Sequence, residues 1–97
     1  MLKMVMVVYN EAVDAEVMEV LIACAVGNYT KINSVFGKGD SSGTHLGTDI
    51  WPGRNNILYV ACEETQAKKI LACIRQLRKK ISAEGIKAFL MPLEELT

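Results

Sequence analysis

The chain has 97 residues, 51% of them apolar and only 6% aromatic. It can therefore enclose one core, built on Val, Ile, Leu and Met, and a second domain does not fit. Eleven basic residues balance eleven acidic ones, which excludes an overall field drawing the chain to nucleic acid or anionic lipid.

In chain order, Met4 to Tyr9 is a continuous apolar and β-branched run, as in a strand buried on both faces. Asn10 to Asp14 supplies the polar oxygens and negative charge that open a helix. Val13, Val17, Val20, Leu21 and Cys24 recur at helical spacing, with Glu16 and Glu19 on the wet side. Gly27 is the expected stop. Tyr29 to Phe36 alternates loosely and reads as a second strand. Gly37 to Asn56 holds five glycines and a proline without a helical or strand period. Asn56 to Cys62 reads as a third strand. A second helix starts near Glu64, with Ala67, Ile70, Leu71, Ile74, Leu77 and Ile81 as its buried stripe. After Gly85, Ile86 to Leu93 reads as a fourth strand, with Pro92 suiting a strand end or edge.

Leu21-Ile22-Ala23-Cys24 and Ile70-Leu71-Ala72-Cys73 occupy matching places in two strand–helix–strand units. Right-handed crossovers put both helices on one face of the sheet. The fold expected is α+β: a ferredoxin-like βαββαβ sandwich, four antiparallel strands with two helices on one face, as a single domain over residues 1–97. The strands are apolar at nearly every position, so the opposite face also needs cover. With 97 residues, that cover is another copy of the chain.

No run approaches the ~18–20 apolar residues of a membrane span, and Met4–Val8 is far shorter than the core of a secretory leader. The expected compartment is the cytoplasm. Cys24, Cys62 and Cys73 stand in apolar contexts without a C-x-x-C spacing, and read as small core thiols of a reducing compartment.

A loop of about 20 residues without its own secondary structure tends to be functional or disordered. Gly37, Gly39, Gly43 and Gly47 permit backbone conformations in which successive N–H groups meet one anion. Lys38 and Arg54 would add charge from either end. A merely flexible connection is the alternative. The loop also carries Trp51, which would serve an interface or anchor the loop to its own domain. His45 is the only histidine. With Asp49 or Asp40 it suggests a transition-metal site, though one nitrogen without a second nitrogen or thiolate at ligand spacing is a weak set. Ser–His–Asp hydrolysis would need a rigid scaffold that a glycine-rich loop does not supply, so no catalytic residue is assigned and no enzyme is expected. The basic residues Lys68, Lys69, Arg75, Arg78, Lys79 and Lys80 crowd the second helix. Without stacking aromatics or a helix-turn-helix pattern they read as a solvated or internally paired face, and no nucleic-acid partner is expected.

Two short segments resemble the P-II nitrogen-regulatory (PII-like) family. Ser34-Val35-Phe36-Gly37-Lys38-Gly39 is similar to its G-x-G segment, where the long T-loop leaves the second strand. Tyr59-Val60-Ala61-Cys62-Glu63-Glu64 is similar to its third strand, which ends in paired acids. The resemblance implies a cytoplasmic homotrimer for signal transduction, with residues 37–54 as a shortened T-loop. It implies a small-molecule effector, usually an adenine nucleotide, in clefts between subunits, and a membrane transporter or metabolic enzyme as the regulated target. By position, Gly37, Lys38 and Gly39 would meet the ligand, and Gly85 and Lys87 would stand at the remnant of the B-loop. That remnant, Lys79 to Gly85, keeps one glycine and gains Glu84, and the chain closes on Glu94-Glu95-Leu96-Thr97 without the family's arginines. A divergent member reading AMP, ADP or another small anion is therefore expected, with no other cofactor. Metal-tolerance proteins of the CutA family share the trimeric fold. The alternative reading is accordingly a metal-binding trimer using His45 and Asp49.

Overall fold

The computed structural model describes residues 1–37, 54–81 and 85–97. Strand β1 (Leu2–Asn10) runs through a single 3-10 turn (Glu11–Val13) into helix α1 (Asp14–Ala23). Strands β2 (Thr30–Phe36) and β3 (Arg54–Glu63) follow, then helix α2 (Glu64–Lys80) and strand β4 (Ile86–Pro92). The strands form one sheet in the order β2-β3-β1-β4, every neighbouring pair antiparallel. This is the ferredoxin-like sandwich that the two strand–helix–strand halves imply.

The unbroken apolar run of β1 follows from its place between β3 and β4. Val5, Val7 and Tyr9 face the helices, and with Leu58, Val60 and Ile86 they meet Val17 and Leu21 of α1 and Ala67, Ile70, Ile74 and Leu77 of α2. Full burial of an Ile or Leu side chain contributes about 1.5–3 kcal/mol, so this layer holds the domain together. Leu71 and Ile81, the remaining members of the α2 stripe, are half-buried against it. Arg78, Lys79 and Lys80 end α2, where positive charge suits the helix dipole. Lys68 pairs with Glu64 one turn away at 3.1 Å. That ion pair holds the Glu64 carboxyl below its ordinary value.

Strand residues of the other parity have no helix over them. Across the sheet, Met4 pairs with Ala61 and Met91, Met6 with Tyr59 and Phe89, and Val8 with Ile57, which in turn faces Ile32. Ile32 and Phe89 are 41% and 43% exposed. A continuous apolar surface therefore lies on the side away from both helices.

Two local features differ from the sequence expectation. Helix α1 ends at Ala23, before Gly27, and the chain turns out of it at Ala25, whose φ is 61°. The Ala25 amide donates to Ile22 O and the Val26 amide to Leu21 O, both at 3.0 Å, the paired bonds of a Schellman turn with alanine where glycine is usual. Leu21 and Val26 bring apolar contact to that turn, which offsets the steric cost of a left-handed alanine. The second difference concerns the cysteines. Cys24 and Cys73 are joined as a disulfide and Cys62 alone is free, so the first two are not separate core thiols. The reason lies in the internal echo: equivalent positions of the two halves meet at the seam between α1 and α2.

Among the described residues no helix is long and apolar enough to cross a membrane.

Candidate functional site

One end of the sheet gathers residues far apart in sequence. Arg54 opens β3 directly opposite Phe36, the last residue of β2. The guanidinium stands over the Phe36 ring, 5.6 Å from its centroid, within the range of a cation–π contact. Asn55 pairs with Val35 on one side and Asn10 on the other. Its amide fills the space beside Gly37: a Cβ on Gly37 would lie 2.5 Å from Asn55 Nδ2. Gly85 closes the row, its position for a Cβ being 3.8 Å from that of Asn10. The root of the 37–54 loop, the end of β1 and the entry to β4 thus share one rim.

Behind the rim, polar side chains fix these elements to one another. One oxygen of Asp14, Oδ1, accepts from the Tyr9 hydroxyl at 2.5 Å and from Asn56 Nδ2 at 3.2 Å, and pairs with Lys31 Nζ at 2.7 Å. Burial pulls the Asp14 carboxyl upward, but the donors Lys31, Tyr9 and Asn56 outweigh it and hold it below the ordinary value of 3.8. Tyr9 is displaced the other way: burial first, then the Asp14 carboxylate, raise its hydroxyl well above the normal range. Asn56 is 5% exposed. Its Oδ1 accepts from the Ser34 amide at 3.0 Å, and Ser34 Oγ donates to Glu11 Oε2 at 3.2 Å. Ser34 has φ of 57° and lies in a bulge. Between Ile32 and Val35, β2 advances three residues while β3 retreats only from Ile57 to Asn55. The network therefore pins the bulge from which the loop root departs.

Of the residues expected at a ligand site, Gly37, Arg54 and Gly85 come together at this rim. Lys87 pairs with Val8 one step in from it, exposed on the face away from the helices. Lys38, Gly39, His45, Asp49 and Trp51 lie outside the described residues. Among the described residues there is no group of three or more His, Cys, Asp or Glu placed to hold a metal ion. Sequence reasoning placed Phe36 in strand two and in the family-like segment but not among the ligand residues, and it missed the hub of Tyr9, Asp14, Lys31 and Asn56. The available signal was Asn55-Asn56, two amides at the head of an otherwise apolar strand.

Solved structures bear on the fold. CPII from Thiomonas intermedia K12, bound to ADP, AMP and acetate, superposes with a TM-score of 0.68 at 15% identity, covering 93% of this chain and 83% of its own. The same protein bound to ADP, AMP and bicarbonate gives 0.67 at 20% identity, covering 92% and 82%. A protein of Thermus thermophilus, named as PII-like signaling, gives 0.61 at 22% identity, covering 92% and 83%. No curated protein matches the chain. At these identities the superpositions speak for the architecture alone. The family described as nitrogen regulatory protein P-II matches residues 2–97. With that match spanning nearly the whole sequence, the chain belongs to the P-II family.

Proposed function

We propose that this protein is a non-enzymatic, trimeric, cytoplasmic PII-like signal-transduction protein. It would sense a small effector at clefts between subunits and control a transporter or metabolic enzyme through residues 37–54. The observation that carries the reading is the apolar sheet face of Met4, Met6, Val8, Ile57, Tyr59 and Phe89, over which neither helix lies. Surfaces of this kind on a small domain are covered by other chains, and closed association of identical copies is the usual solution. The rim of Phe36, Gly37, Arg54 and Gly85 stands at one end of the same sheet, with Phe36 and Arg54 of the opposite parity to that face, so copies meeting over the face would form grooves near the loop root.

The effector class follows from the chemistry of the rim. Phe36 is 78% exposed and, with the Arg54 guanidinium over it, offers an aromatic surface beside a fixed positive charge. A heteroaromatic ring carrying phosphate suits both. Solved CPII structures hold ADP and AMP, and an adenine mono- or diphosphate is the effector proposed here, with Lys38, Gly39 and Lys87 completing its contacts. Fixing a glycine-rich segment is entropically costly. Ligand contacts that offset the cost would turn residues 37–54 into an order–disorder switch.

Sedimentation of the purified chain should give a particle of about three times 10.7 kDa, and titration calorimetry should detect ADP or AMP. Arg54→Ala should weaken that binding by roughly 10- to 150-fold, as removal of a hydrogen bond to a charged group costs about 1.5–3 kcal/mol. A monomer at micromolar concentration, or binding indifferent to Arg54, would overturn the reading.

A further inference from the structure

We propose that Cys24 and Cys73 form a reversible dithiol–disulfide couple that clamps α1 to α2 and thereby fixes the entry to β2. The two sulfurs are joined across the seam between the helices, while Cys62 on β3 is free. Burial, with Glu63 beside it, raises the Cys62 thiol, which keeps it protonated and a poor competitor.

Placement makes the pair consequential. Cys24 is the last residue before the left-handed turn at Ala25. Its carbonyl and that of Ala25 already accept from Gln66 Nε2 of α2, at 3.1 and 3.4 Å. Only residues 25–29 separate Cys24 from β2, and β2 is an edge strand paired on one side alone. Tying Cys24 to the middle of the 17-residue α2 therefore restrains the strand that leads to Gly37. The Cα atoms are 7.3 Å apart, beyond the ~4.4–6.8 Å of most bridges, so two thiols fit side by side in the same seam. The helices lie opposite the apolar sheet face, so self-association through that face leaves the seam between them uncovered.

Burial sets the order of exchange. Cys24 is 5% exposed and Cys73 half-buried, so the thiolate of a small thiol of the glutathione class attacks Cys73 Sγ. The S–S bond breaks, its electron pair passes to Cys24 Sγ, and Cys24 takes up a proton. A second small thiolate attacks the outer sulfur of the mixed disulfide, releasing the small disulfide and the Cys73 thiolate, which is protonated in turn. Oxidation by the small disulfide runs the same steps backward.

The test equilibrates the intact protein over ratios of reduced to oxidised glutathione, traps thiols by alkylation, and maps peptides by mass. Hydrogen exchange is read in each end state. Cys24 and Cys73 should oxidise together into one internal cross-link while Cys62 stays alkylated throughout. Amides of Val26 to Val35 should exchange roughly tenfold more slowly in the bridged form, and Cys73→Ser should match the reduced form. The proposal falls if both cysteines are alkylated at every ratio. It also falls if the bridge opens only on denaturation, or if exchange in β2 is equal in the two states. The titration uses wild-type protein, so it decides even if the serine variant does not fold.

Discussion

On the helix side of the sheet, Val5, Val7 and Leu58 have no exposed surface and Tyr9 has 1%. On the other side, Met6, Val8 and Ile57 are only half-buried, and Phe89 and Ile32 remain exposed. Both faces are largely apolar, but they differ in what lies over them and in the kind of side chain they carry. The covered face is a finished core, specific in shape and rich in branched side chains. The open face carries three methionines, Met4, Met6 and Met91, whose unbranched side chains adapt to a mating surface. Folding of one copy uses the first face; in the trimer proposed above, the second serves assembly.

Charge on the open face should separate these roles most sharply. Met6→Asp should leave the far-ultraviolet circular dichroism intact but convert the proposed trimer to monomer in sedimentation, because each copy would place an unpaired carboxylate at the proposed interface. On the covered face Ile70→Ala should act on the fold itself. Ile70 is fully buried, so truncation should cost about 2–5 kcal/mol in chemical denaturation.

Asp14 tests the polar end of the covered face. Its folded pKa is depressed, so its contribution to stability is present above the unfolded value and is lost as pH falls through the folded one. Asp14→Asn should therefore melt earlier than wild type at neutral pH, and the gap should narrow steadily below about pH 5. The smallest change concerns neither face. Ala25→Gly relieves a left-handed alanine and should stabilise by about 1 kcal/mol, raising Tm by roughly 4–8 °C.

Much of this architecture was legible in the residues. The unbroken run of β1, the helical stripes of Val17 with Leu21 and of Ile70 with Ile74 and Leu77, and the doubled Leu-Ile-Ala-Cys segment imposed two crossovers on one sheet. The surplus of apolar strand residues pointed to an open face. Periodicity reports burial but not pairing, so Cys24 and Cys73 read as core thiols although their equivalent positions bring them into contact. A left-handed alanine is not expected when Gly27 stands two residues further on. The rim was legible in part. Gly37 and Arg54 stand out by type, but Phe36 gains its role only from facing Arg54 across a register that no local pattern specifies. The hub on Asp14 joins residues up to 42 positions apart, beyond what spacing along the chain can reveal.

The extra residue in β2 reaches further than its local hydrogen bonds. A strand turns alternate side chains to opposite faces, so one inserted residue exchanges inside for outside in everything that follows. Phe36 would share the Met-rich face with Ile32 if β2 were regular. The insertion at Ser34 instead sets it in the row of Arg54, with the opposite parity. A single deletion at Asn33 or Ser34 would reverse that assignment while leaving Thr30 to Ile32 in place. The outlook of the loop root is thus indexed by one residue, a setting that can be altered without disturbing the sheet that carries it.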